Sequence, residues 1–298
     1  MAPKYVLILL LVLIAIAFHA FWFLTERRRR TAQDGSIKPS PTALAIAFIA
    51  NFFDTLGIGS YATTTSMSKL WHVMPDEKIP GTLNVGYVMA TVVQAVIFMT
   101  IIEVDFLTLI SIISAAVLGA YLGAGVVCNL NRRQVQIGMG TALLVASGLM
   151  VLSMSGQGPP PGEALGLSGA KLGIAVAISM VLGALMMLGI GFYGPCLIMI
   201  SLLGMDPRVS YPIMMGVCAF LMPSGSVQFV RKGSYHLRTA MAFLIAGPLA
   251  VLVAAPLVER LSIEYIRYLV LAVVLYTAVR MLMSAAQEKA AAAVKTTA

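Results

Sequence analysis

Residues 5–24 read YVLILLLVLIAIAFHAFWFL, twenty consecutive positions without Asp, Glu, Lys or Arg. A helix rising ~1.5 Å per residue crosses about 30 Å of hydrocarbon in that length. The run 107–128 is equally free of charge, and only 11% of the chain is charged while 59% is hydrophobic. Soluble domains carry roughly 25% charged residues, so a soluble fold is excluded and an all-α polytopic membrane protein is expected. The net charge of +8 sits in short clusters between apolar runs. That is the inside-positive pattern of membrane proteins, so the lipid bilayer is an expected partner and nucleic acid is not. Arg27, Arg28, Arg29 and Arg30 follow the first apolar run, the reverse of a secretory signal. Residues 1–30 are therefore read as an extra N-terminal transmembrane helix with its N-terminus outside and a basic inner flank.

Two apolar blocks, 42–72 and 171–204, are too long for one crossing. As straight helices they would run ~46 and ~51 Å. Each contains the tetrapeptide LGIG, at 56–59 and 188–191, and residues 56–80 align with 188–212 without a gap, nine of the 25 pairs being identical. The chain thus reads as a duplication: repeat 1 at 42–154, a Gly/Pro linker at 155–170, repeat 2 at 171–284 and a cytoplasmic tail at 285–298. Glycine weakens a helix by ~1 kcal/mol, so each long block is expected to fold as a re-entrant hairpin or a pair of short half-helices. Three ordinary transmembrane helices follow each block.

Charge counting discriminates between topologies. If each block enters and leaves on one side, fifteen of the twenty basic residues lie inside, including Lys38, Lys69, Lys78, Arg132, Arg133, Arg231, Lys232 and Arg238. If each block crosses once, the inside holds only twelve. The first arrangement obeys the positive-inside rule better and leaves an odd number of spans per repeat. The two repeats then enter the bilayer from opposite sides, the inverted-topology arrangement of many secondary transporters.

In such folds a substrate sits near the midplane where broken helices meet. A helix starting after each LGIG presents free N–H groups and the positive end of its dipole, which favour a small oxyanion by ~0.3–2 kcal/mol. The candidate substrate-binding residues are Gly57, Gly59, Ser60, Tyr61, Thr63 and Thr64 in the first repeat and Gly189, Gly191, Tyr193 and Gly194 in the second. Glycines of membrane helices also serve plain close packing. Asp54 lies within the first block, where an intramembrane acid is either a proton or cation coupling site or a cap for the helix after it. Asn84 and Gln94 place amides in the following span, and Ser224, Ser226 and Gln228, around PSGS at 223–226, are expected to interrupt the matching span as part of a polar pathway.

Other chemistries find no constellation. His19, His72 and His236 lie in unrelated elements without HExxH, no GxSxG occurs, and GIGFYG has no strand context to make it a dinucleotide loop. No catalytic residue, metal or cofactor is expected. Cys128, Cys196 and Cys218 form no CxxC and read as small buried hydrophobes, with a sulfur-relay role as the rival reading. Glu103 and Asp105 read as solvated residues of an outer loop.

The stretches IANFFDTLGIGSYATTTSM, LGALMMLGIGFYGPCLIMISLLGMDP and GAYLGAGVVCNLNRRQVQIGMGTALLVASG resemble the sulfite exporter TauE/SafE family, over nearly all of 42–284. The resemblance implies a transporter, and an exporter, of small sulfur-containing oxyanions such as sulfite or organosulfonates in the bacterial cytoplasmic (inner) membrane. The C-terminus would be cytoplasmic, and a homodimer is compatible with it. A membrane scaffold or assembly factor without flux is the alternative from another class. Met186, Met187 and Phe192 stand opposite Asp54, Thr55 and Ser60, so the first repeat is expected to supply most side-chain donors and the second mainly backbone.

Overall fold

A computed structural model describes residues 3–30, 38–127, 132–154, 162–186, 192–260 and 263–297. Among the described residues every regular element is a helix, and the one β contact is an isolated bridge between Ala164 and Met205. After α1 (Pro3–Arg30) come α2 (Pro41–Thr55), α3 (Ser60–Leu70), a 3-10 turn at Asp76–Lys78, α4 (Ile79–Ile101), α5 (Phe106–Val127) and α6 (Arg132–Met154). The same succession then recurs: α7 (Gly169–Met186), α8 (Tyr193–Leu202), a 3-10 turn at Pro207–Val209, α9 (Ser210–Lys232), α10 (Leu237–Arg260) and α11 (Ile263–Thr297). Among the described residues five helices, Pro3–Arg29, Ile79–Ile101, Gly169–Met186, Pro207–Lys232 and Leu237–Arg260, are long and apolar enough to cross a membrane. The chain is a multi-pass membrane protein.

The first long block is divided between α2 and α3. α2 and α3 measure ~22 and ~16 Å, each shorter than the hydrocarbon core. In the second block α7 has 18 residues and by length alone reaches ~27 Å, longer than a half-helix. The last described residue of α7 is Met186, and the LGIG at 188–191 lies outside the described residues.

Two compact units form, and each draws on both halves of the sequence. The first comprises 1–102 and 215–260, the second 103–214 and 261–298. In the first, α10 packs along α2 and α4, α3 touches both α2 and α4, and α1 lies on α4. Gly86 lets α4 approach Ala240 and Phe243, while Gly247 lets α10 approach Ala90 and Asn51. In the second, α5 packs along α7, α6 along α11, and α8 touches α6, α7 and α11. The α5–α7 contact is also a reciprocal glycine contact: a methyl on Gly119 would lie 1.9 Å from the Met180 carbonyl oxygen, and one on Gly183 2.0 Å from that of Ala116. This is the close approach that small residues permit where lipid offers helices no hydrophobic drive to associate.

α9 departs from expectation. PSGS at 223–226 does not interrupt it; the helix runs from Ser210 to Lys232 with Pro223 inside. Proline removes one ladder bond, and membrane helices tolerate this where hydroxyls re-satisfy freed carbonyls. The Ser224 hydroxyl donates to Leu221 O at 2.7 Å in the turn that holds Pro223.

Candidate functional site

The break between α2 and α3 uses its two glycines differently. Gly57, at φ 95°, ends α2: its N–H donates to Asp54 O at 2.8 Å and that of Ile58 to Phe53 O at 3.1 Å. These are the paired bonds of a Schellman stop, whose αL position favours glycine. Gly59 starts α3 from φ 86° and ψ 130°, a conformation outside the range of L side chains. With one free residue between stop and start, the side chain of Asp54 reaches across the break. Its Oδ1 accepts from the Ser60 N–H, the first of α3, at 2.6 Å.

That carboxylate is 4% exposed and belongs to a buried polar cluster. Asn51, Asp54 and Thr55 share a face of α2 at helical spacing, as Tyr87, Thr91 and Gln94 do on α4. Gln94 Nε2 donates to Asp54 Oδ2 and to Thr55 Oγ1, both at 3.0 Å. The Thr55 hydroxyl donates to Asn51 O at 2.7 Å. Beside them Thr64 Oγ1 and Tyr87 OH share a hydrogen bond of 2.7 Å. The Thr91 hydroxyl lies between Tyr87 O and the Met222 sulfur of α9. The Tyr87 ring stacks on Phe243 of α10 with centroids 4.6 Å apart, closing the cluster on that side. Tyr61 lies within electrostatic reach of Asp54, Tyr87 and Cys218.

The candidates from sequence separate accordingly. Asp54, Ser60, Thr64 and Gln94 come together, and Tyr61 borders them. The Thr63 hydroxyl bonds back to Gly59 O at 3.3 Å. Asn84 donates to Pro80 O, nearly three turns away from Gln94 along α4. Ser226 is fully buried in α9, its hydroxyl without a hydrogen-bond partner, whereas Ser224 and Gln228 are exposed. In the second unit Gly194 is buried where a methyl would meet Thr277 of α11 at 3.0 Å, and Tyr193 beside it is half-buried. Gly189 and Gly191 lie outside the described residues. Sequence reasoning did not single out Asn51, Thr55, Tyr87 or Thr91, although their spacing with Asp54 and Gln94 carried the signal.

Asp105 is exposed, as expected, and has a capping role besides. Its Oδ1 accepts from the Thr108 N–H at 2.8 Å and from the Thr108 hydroxyl at 2.7 Å, capping α5, while its backbone N–H donates to Leu165 O. The Asp-x-x-Thr spacing of a helix start held this signal.

The ends of the broken blocks are equally informative. Lys38 O, before α2, accepts from Arg238 Nε at 2.7 Å, and Val73 O, after α3, accepts from the Thr239 hydroxyl at 3.4 Å. Entry and exit of the first block therefore meet adjacent residues at the start of α10. In the second unit Lys171 Nζ, at the start of α7, donates to Leu203 O at the end of α8, 3.1 Å away. A groove of about 510 Å³ between α1, α4 and α10 is lined by apolar side chains and His19. The His19 Nδ1 is engaged with Ala15 O, so the groove offers an anion little.

Comparison with known proteins adds one finding. A family model described as sulfite exporter TauE/SafE matches the chain over residues 2–150 and again over 105–281. No curated protein and no solved structure matches.

Proposed function

We propose a function from the premise that the chain belongs to the sulfite exporter TauE/SafE family. That family is one of membrane transporters, and this chain is a transporter of small anions rather than an enzyme. The finer reading is that it exports small sulfur oxyanions, sulfite or organosulfonates, across a bacterial cytoplasmic membrane by alternating access. The anion is held near the midplane by the start of α3, and Asp54 couples its passage to protons.

One observation carries the reading. The first N–H of α3, exposed by the glycine break, already holds an oxyanion: the Asp54 carboxylate, 2.6 Å away in a buried setting. A helix start that holds a carboxylate has the donor and the field for a sulfite oxygen. The carboxylate and the substrate then compete for one place, and a proton on Asp54 settles the competition in the substrate's favour.

The meeting of Lys38 and Val73 with the start of α10, and of Lys171 with Leu203, supports re-entrant hairpins. Three full spans separate the two hairpins, so the repeats are inverted, with the N-terminus outside and the C-terminus cytoplasmic.

Flux into proteoliposomes tests the function, with sulfite, sulfate, thiosulfate, sulfoacetate and simple carboxylates under imposed pH gradients. Sulfite is expected to move, and Asp54→Asn is expected to move it without response to the pH gradient. Absence of flux for every anion would sink the transport reading and favour a scaffold. An unchanged pH response in Asp54→Asn would remove the coupling role.

A further inference from the structure

Gln94 is fully buried on α4, and its amide occupies the middle of a directed hydrogen-bond chain. Thr55 Oγ1 gives its single proton to Asn51 O, so the group that faces the hydroxyl oxygen has to be a donor. This orients the amide: Nε2 of Gln94 faces both Thr55 Oγ1 and Asp54 Oδ2, spending one hydrogen on each. Oε1 of the same amide is left buried with no hydrogen-bond partner. Such an acceptor costs free energy in a dry interior. An amide can exchange its donor and acceptor ends by a half-turn about its last bond.

We infer that Gln94 makes this half-turn when Asp54 takes up a proton. With the carboxylate charged, Nε2 faces Oδ2 as the structure has it. A proton from water added to Oδ2 turns that oxygen into a donor facing the Nε2 hydrogen, donor against donor. The half-turn brings Oε1 opposite the new O–H and opposite Thr55 Oγ1, whose proton turns from Asn51 O to Oε1, and so gives the unpartnered oxygen its donors. Nε2 then stands where Oε1 stood, and the neutral acid loosens its hold on the Ser60 N–H. The consequence rests on the transport reading: proton uptake replaces an acceptor, which repels an oxyanion, with donors that attract one. The other titratable groups bearing on the cluster are Tyr61 from α3, Tyr87 from α4 and Cys218 from α9, while α10 presents Gly247 to Asn51.

Infrared difference spectra of the purified full chain test the switch without any anion. They are recorded between about pH 4 and about pH 9, a range spanning ordinary and raised carboxyl values. A protonated-carboxyl band abolished by Asp54→Asn and a side-chain amide band abolished by Gln94→Met are expected to change together, with one midpoint. Should Gln94→Met fail to fold, ¹⁵N labelling of glutamine amides identifies the amide band in the wild-type chain. A carboxyl band that titrates while the amide band stays still overturns the inference, and so does the absence of any Asp54 carboxyl band.

Sulfite-dependent thermal stabilisation supplies the second readout, because the titration of sulfite itself is common to all variants and cancels. One linked proton steepens the pH dependence of wild-type affinity by about tenfold per pH unit. Gln94→Met is expected to lose most of that extra slope. The full slope in Gln94→Met would overturn the switch, whereas absence of sulfite flux in the wild type would sink the transport reading and leave the infrared result intact.

Discussion

Gly57 and Gly59 share a tetrapeptide but carry different burdens. The first ends α2 in an αL stop, and the second starts α3 from a conformation that only glycine adopts comfortably. Each glycine-to-alanine change is expected to cost about 1–3 kcal/mol of folding free energy, read as a lower thermal midpoint in detergent. The Gly59 change, beside Ser60, should also weaken sulfite-dependent stabilisation. His72, 132 residues before Gly204, has φ 48° where Gly204 has φ 86°, and both end a short helix. The position rather than the residue type is what recurs.

His236, outside the spans, is a pH-sensitive contact. Its backbone N–H donates to Thr82 Oγ1 at 2.8 Å and its Nδ1 meets Thr239 Oγ1 at 2.7 Å. Partial burial, and then the charges of Lys78 and Arg238, hold its imidazole below the ordinary histidine value. The unfolded chain therefore binds more protons than the folded one just below about pH 6.5. Stability is full above that value and falls as pH drops through the folded value. Thermal midpoints measured against pH should flatten in His236→Gln.

Helices α5 and α7 meet through Gly119 and Gly183, and this contact separates packing glycines from breaking ones. A methyl on Gly119 collides with backbone, 1.9 Å from Met180 O, so Gly119→Ala forces the helices apart. About 1–3 kcal/mol is the expected cost of such overpacking. Gly138 on α6 has nothing within 4 Å, so Gly138→Ala is the control. It should be neutral or stabilise by about 0.5–1 kcal/mol, the ordinary gain of alanine in a helix. Denaturation of the two variants side by side checks the contrast, and equal effects would refute the contact. Pro223 teaches the complementary lesson: a proline and two small polar residues read as an interruption, yet α9 continues through them.

Each compact unit is assembled from distant parts of the chain. α10 from the second half joins α2 and α4, and α5 from the first half joins α7. The hairpin topology predicts which side each loop faces. Single cysteines at Lys38 and Val73, in an otherwise cysteine-free chain, should react with impermeant thiol reagents from the inside only. Cysteines at Lys171 and Arg208 should react from the outside only. Labelling of Lys38 and Val73 from opposite sides would refute the hairpin.

Sequence by itself determined that the chain is helical, that it lies in a membrane, that a pattern recurs after 132 residues and that the first LGIG marks a helix break. Those properties follow from local rules: apolar length, charge position and the torsions glycine allows. Tertiary structure alone decided that α5 and α10 pack with helices from the opposite half, because apolar helices with small-residue faces are interchangeable until their surfaces are fitted together. It also decided the fate of Asp54. Sequence placed a carboxylate near a break and an amide in a later span, 40 residues away, and only the packing of α4 on α2 through α10 brings Gln94 to within 3.0 Å of it. A buried hydrogen bond depends on distance and direction between elements, and neither is encoded in the order of residues along one of them.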